Sequence, residues 1–202
     1  MKIKLSFLLV AAVFLSSCEI PGAVLSTPVL PPPVTTQIPL LDSSGCISSE
    51  PTQDDIDRTL GYTDEIFNGS EWKRSYTVET SRVYMTFSND SLNALAFVEA
   101  LIFPCGYGKT DLDNFFNAEN WKIVFANYES YKAVAECKSG DILRLYQFTA
   151  MKEGFEYDIK YWALNDTATR VMGMMIVFPT DSKLLMDEYS SNLFPQITSC
   201  QQ

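Results

Sequence analysis

Polar and apolar positions alternate over residues 72–87. Tyr76 and Val78, then Val83, Met85 and Phe87, fall on one side, while Thr77 and Glu79, then Arg82, Tyr84 and Thr86, fall on the other. A period of two belongs to a strand, and the pattern resets at Thr80-Ser81, so a hairpin is predicted. Three more β-rich runs come late, at 142–150, 155–164 and 171–178, with turn-length gaps at 151–154 and 165–170. Gaps that short join neighbouring antiparallel strands. The run at 155–164 puts Phe155, Tyr157, Ile159 and Tyr161 on one face and Glu156, Asp158 and Lys160 on the other. The run at 171–178 is apolar on both faces and is expected at the centre of the sheet. Its Met172, Met174 and Met175, beside Gly173, read as gap-filling core side chains.

Other stretches have helical spacing. Thr52 and Asp55 make a capping pair ahead of Ile56, Leu60, Thr63 and Phe67. Gly61 weakens that helix and Gly69 ends it. The acidic residues Asp54, Asp55 and Asp57 suit the positive end of its dipole, and they lack the alternate spacing and glycine turn of a calcium loop. Residues 92–103 carry one charge, Glu99, and are apolar nearly all round, which predicts a buried helix stopped by Pro104. Thr110 and Asp113 read as a cap for a short helix with Leu112, Phe115 and Phe116 on its apolar side. Residues 121–125 read as strand or loop. Residues 128–138 read as helix, from Tyr131, Val134, Ala135 and Lys138. Thr180-Asp181 caps a last helix bearing Leu185, Tyr189 and Leu193, and Pro195 ends it. The expected fold is α+β, an antiparallel sheet of about five strands packed with several helices in a single domain over 46–202.

The front of the chain has a separate logic. Lys2 and Lys4 precede an apolar run from Leu5 to Leu15 broken only by Ser6, followed by Leu15-Ser16-Ser17-Cys18. Charge, a short apolar run and small residues make the pattern of a secretory signal over 1–17. The run is roughly half of the ~20 residues needed to span a bilayer. Leu15-Ser16-Ser17-Cys18 resembles the lipobox of bacterial lipoproteins. The resemblance implies a diacylglycerol on the Cys18 thiol, cleavage just before it, acylation of the new amine, and a place on the cell membrane or cell surface outside the cytoplasm. Two or three acyl chains anchor stably where one holds marginally. Residues 18–45 hold six of the ten prolines and read as an extended, solvated tether.

Composition narrows the partners. The chain has 202 residues and a formal net charge of −10, with no basic run, which argues against nucleic acid. Of five cysteines, Cys18 is assigned to lipid. Cys46, Cys105, Cys137 and Cys200 are an even number in an exported chain and predict two disulfides, with three possible pairings. Cys46–Cys200 and Cys105–Cys137 are expected. Histidine is absent and there is no C-x-x-C, so no metal or cofactor is expected.

The lack of histidine removes Ser-His-Asp and Cys-His systems. Gly106-Tyr107-Gly108-Lys109-Thr110 ends in Gly-Lys-Thr, but Phe103 stands where a P-loop needs its first glycine. A serine–lysine nucleophile pair has no local signature. Aromatic residues are mildly enriched, and Trp162, Tyr146, Trp121 and Trp72 are the candidate ligand-binding residues, since flat rings with a polar edge suit sugars, peptides and partner surfaces. Trp162 stands out on the otherwise polar face of its run. The expected function is a membrane-anchored, non-catalytic domain that binds a protein, a small molecule or a glycan. A histidine-free hydrolase of envelope polysaccharide, using two carboxylates, is the alternative. A structural subunit, marked by a large exposed apolar patch, is a third.

Overall fold

The structure, a computed structural model, describes residues 50–63 and 65–200. The signal, lipobox, tether and Cys46 expectations lie outside the described residues. Eleven main elements follow in order: α1 (Gln53–Gly61), β1 (Lys73–Glu79), β2 (Arg82–Asn89), β3 (Ala94–Ile102), α2 (Lys109–Phe115), α3 (Ala118–Val124), β4 (Ser130–Ser139), β5 (Leu143–Lys152), β6 (Phe155–Asn165), β7 (Arg170–Pro179) and α4 (Lys183–Leu193).

The strands form one antiparallel sheet of seven, in the order β1-β2-β3-β7-β6-β5-β4. The chain builds β1-β2-β3 from one edge toward the centre. It crosses through α2 and α3 to the far edge and returns as β4-β5-β6-β7, so that β7 closes beside β3. One face of the sheet, here face A, packs on α2 and α3 through a core that includes Phe97, Tyr161, Phe116 and Trp121. Face B packs on α1 and α4 through a second core with Met85, Met174, Trp162 and Met186. The central strands β3 and β7 are therefore buried on both sides.

Seven strands, not about five, follow from two expected helices that are strands. Residues 92–103 supply β3. A strand covered on both faces is apolar on both, so it has no period of two and looks like a buried helix. Ala94, Ala96 and Ala100 favour helix locally, but here they are the small face-B residues beneath the helical layer. Residues 128–138 supply β4. Its register against β5 shifts between Ala133 and Ala135, where Val134 is an extra residue. The bulge moves the alternation by one position. Tyr131 and Ala133 before it share face A with Glu136 and Lys138 after it, and the mixed spacing imitates a helix.

Two smaller expectations also change. Residues 121–124 belong to α3 and Phe125 is its C-cap, while Asn117 caps the start by accepting from the Glu119 and Asn120 amides at 2.9 and 3.0 Å. The cap of α2 lies at Gly108, whose amide donates to Asp111 at 2.7 Å, and not at Thr110. The hairpin with its turn at Thr80-Ser81, the Thr52/Asp55 capping box and the buried methionines are as expected, whereas α1 already stops at Gly61 and the last helix starts at Lys183 after a 3-10 turn over Thr180–Ser182, with no side-chain cap from Thr180 or Asp181. The β5–β6 turn places both Glu153 and Gly154 at positive φ, 51° and 79°, a turn conformation that suits the twist of a hairpin.

Of the cysteines, Cys137 in β4 bonds Cys200 in the tail, with an S–S distance of 2.06 Å. This corrects both expected pairs, since it takes one cysteine from each. Cys137 is the face-B residue at the end of a row Met174–Trp162–Leu145–Cys137 running out across the sheet. The tail after α4 covers that row and arrives at Cys137. Cys105 is disulfide-bonded as well.

Candidate functional site: a polar cleft beside the last helix

The four aromatic candidates are buried. Trp162 is fully buried, stacks on Phe194 with ring centroids 5.2 Å apart, and donates from Nε1 to the Ile197 carbonyl at 2.9 Å. Trp72 donates to the Tyr189 hydroxyl at 3.1 Å and meets Phe67 edge-on. Both belong to face B. Trp121 and Tyr146 lie together in the face-A cluster, 5.1 Å apart. The four are divided between opposite sides of the sheet and act as packing residues.

Glu99 is also internal. It accepts from Arg82 Nε at 2.8 Å and from the Tyr161 hydroxyl at 2.7 Å. The Arg82 guanidinium lies over the rings of Tyr84 and Phe97, at 4.9 and 5.5 Å. Burial first, and then the Glu99 carboxylate, push the Tyr161 phenol well above its ordinary value, so it remains a donor. Gly173 faces Glu99 across the β3–β7 pair. A Cβ there would overlap the Tyr161 hydroxyl and stand 2.8 Å from Glu99 Cγ. The missing side chain makes the space in which an ion pair and a phenol meet inside the core.

The open site is on face B, over the outer strands. Across the sheet the row Ala96–Ile176 continues as Lys160–Gln147–Ala135, and the next row holds Asp158 and Thr149. Apolar floor thus becomes polar floor at β6. α4 forms one wall with Lys183, Met186, Asp187 and Ser191, and the tail forms the other with Thr198, Ser199 and Cys200. The cleft between them has a volume of about 540 Å³. The polar side of 155–164 was legible in the sequence as Glu156, Asp158 and Lys160. Nothing in their spacing told that a distant helix and tail would wall two of them in.

Two acidic and two basic side chains, Asp158, Asp187, Lys160 and Lys183, line this cleft. Lys160 is buried and donates to Asp187 at 2.8 Å and to the Ser190 hydroxyl at 2.9 Å. Burial raises the Asp158 carboxyl above its ordinary value, and the nearby Lys183 ammonium partly offsets this. Gln147 holds the tail by accepting the Cys200 amide at 2.7 Å. The Lys160–Ser190 contact does not make a nucleophile. Ser190 is fully buried and donates to the Met186 carbonyl at 2.7 Å, and Lys160 is already engaged with Asp187 at 2.8 Å. Among the described residues, no group of three or more Cys, Asp or Glu side chains is placed to hold a metal ion. No helix among them is long and apolar enough to cross a membrane.

The fold and cleft define an α+β domain, an antiparallel seven-stranded sheet with helices on both faces and a walled polar recess beside α4. No protein-family model matches the chain, and no curated protein matches it.

Proposed function

We propose that this chain is a lipid-anchored extracytoplasmic domain that binds a polar ligand or partner segment in the α4 cleft without chemistry of its own. The observation that carries the reading is the gathering of two acidic groups, Asp158 and Asp187, and two basic groups, Lys160 and Lys183, in a walled recess. Two anionic and two cationic groups suit a molecule with charges or dipoles of both signs, such as a short peptide or an amino sugar. The Lys160–Asp187–Ser190 contacts hold the floor to α4, so the recess is formed before a ligand arrives. The anchor and the site outside the cytoplasm rest on Leu15-Ser16-Ser17-Cys18 and on the disulfide chemistry.

The test has two arms. Cys18→Ala should release the protein from the membrane fraction, and persistent anchoring would refute the lipid. Native mass spectrometry of the full chain in mild detergent, with oligosaccharides and short peptides, should find a ligand whose binding is lost in Asp158→Asn and in Lys183→Glu. Binding that survives both substitutions places the ligand elsewhere.

The hydrolase reading has one specific support, since Asp158 and Asp187 line the same cleft. Burial raises the Asp158 carboxyl above its ordinary value, as a general acid of sugar cleavage requires, and Asp187 stands in the same cleft bonded to Lys160. Reducing-end release from an envelope polysaccharide, abolished by Asp158→Asn, would decide for it.

A further inference from the structure

β1 lies at the edge of the sheet, and among the described residues no strand pairs with its outer side. It has neither proline nor bulge, and its first six residues are exposed, Tyr76 by 60% and Val78 by 39%. A flat, open edge is a template for another strand. The opposite edge is protected. β4 carries the bulge at Val134, Lys132 and Lys138, and a disulfide to the tail.

We propose that β1 pairs antiparallel with β1 of a second copy, about a two-fold axis through Tyr76. The segment Lys73-Arg74-Ser75-Tyr76-Thr77-Val78-Glu79 is complementary to its own reverse. In that register Tyr76 meets the partner's Tyr76. Lys73 meets the partner's Glu79 at both ends, Ser75 meets the partner's Thr77, and Arg74 meets the partner's Val78. No like charges are opposed. The faces sort themselves too. Tyr76 and Val78 share face B with Val83 and Met85, and the Lys–Glu and Ser–Thr pairs fall on face A. Aromatic and opposite-charge pairs directly across are the contacts that stabilise antiparallel strands.

The backbone agrees. Glu79 and Arg82 flank a two-residue turn and face each other, so the alternate residues Arg74, Tyr76 and Val78 turn their N–H and C=O groups outward. A two-fold at Tyr76 sets these three residues opposite one another, as exchange of hydrogen bonds requires. The contact is isologous and closes at two copies. It joins the two sheets into one and is independent of the cleft. Lys73 is bonded to Asp90 within its own chain, and both side chains are exposed enough to admit the partner's Glu79.

The test is sedimentation equilibrium of the full chain in mild detergent over a concentration series. A reversible monomer–dimer equilibrium is expected, since a single strand pair is a small interface. Val78→Lys opposes the partner's Arg74, and Lys73→Glu opposes the partner's Glu79. Each should weaken the dimer by roughly tenfold at low salt, because like charges across a strand pair repel. The double variant Lys73→Glu/Glu79→Lys should restore it. Unchanged melting temperatures will show that these exposed substitutions leave the fold intact. A chain monomeric throughout, or a dimer indifferent to the substitutions, overturns the proposal. A dimer lost in the single variants but not restored in the double one overturns the Tyr76 register.

Discussion

Gly173 shows how much one missing methyl group can decide. It sits on β7 opposite Glu99, and the Tyr161 hydroxyl occupies the volume its Cβ would take. Gly173→Ala should destabilise the protein by about 1–3 kcal/mol, the usual cost of overpacking a core. The same substitution in a Tyr161→Phe background should cost measurably less, because the hydroxyl that blocks the methyl is gone. Denaturant melts of the four proteins in this cycle give the answer, and equal costs in both backgrounds would show that the clash is relieved some other way. In the sequence, Glu99 was visible as a lone acid in an apolar run. Its partners were not, because Arg82 and Tyr161 lie 17 and 62 positions away and meet it only through strand register.

At the scale of elements, hydrophobic period was a good guide where one face meets solvent or a helix layer and the other does not. It located β1, β2, β5, β6 and the turns between them. It failed for β3, which is covered on both faces and whose alanines, unlike the β-branched residues of β7, favour helix locally, and for β4, where an extra residue breaks the alternation. The tail after α4 carries the clearest consequence. Ile197 covers Trp162, Cys200 is bonded to Cys137, and Gln147 holds the Cys200 amide. The disulfide closes a sequence separation of 63 residues, which corresponds to about 4 kcal/mol in the loop-entropy account. Cys200→Ser should therefore lower the melting temperature by on the order of 10 °C for a domain of this size. Tryptophan emission should shift to the red as the tail lifts from Trp162, and ligand binding in the cleft should be lost with its wall. A variant that melts like the wild type would show that the hydrogen bonds alone hold the tail.

For the molecule as a whole, one charge cluster ties the first helix, near the start of the described residues, to the last strand of the sheet. Arg170, at the start of β7, bonds Asp54 and Asp55 of α1 at 2.7 and 2.9 Å and Asp166 at 2.7 Å, while Arg58 of α1 reaches Asp166 at 2.9 Å. Burial would raise the carboxyls of Asp55 and Asp166. Hydrogen bonds from Thr52 and Arg170 to the first, and from Arg58 and Arg170 to the second, outweigh it and hold both below the ordinary range. The folded state thus binds fewer protons than the unfolded one. That stability is present above the unfolded carboxylate value and is lost as pH falls through the folded values. Denaturant midpoints should hold steady near neutrality and drop below about pH 4. Arg170→Met should cost about 3 kcal/mol at neutral pH, by taking from the buried Asp55 carboxylate its ion-pair partner while Asp166 keeps Arg58, and should make the acid drop shallower. An acid drop as steep in the variant as in the wild type would place the titrating groups elsewhere.

Local chemistry settled what depends on neighbours in the chain. The alternation at 72–87, the Thr52/Asp55 cap and the short apolar run ending in Leu15-Ser16-Ser17-Cys18 are all readable there, because each is a matter of spacing over a few residues. Tertiary structure decided the rest. Coverage of both faces made β3 a strand, a row of the sheet led Cys137 to Cys200, and the folding back of α4 and its tail turned the solvent face of β6 into a cleft. These outcomes depend on which surfaces meet across tens of residues, and register and packing, not local spacing, determine that.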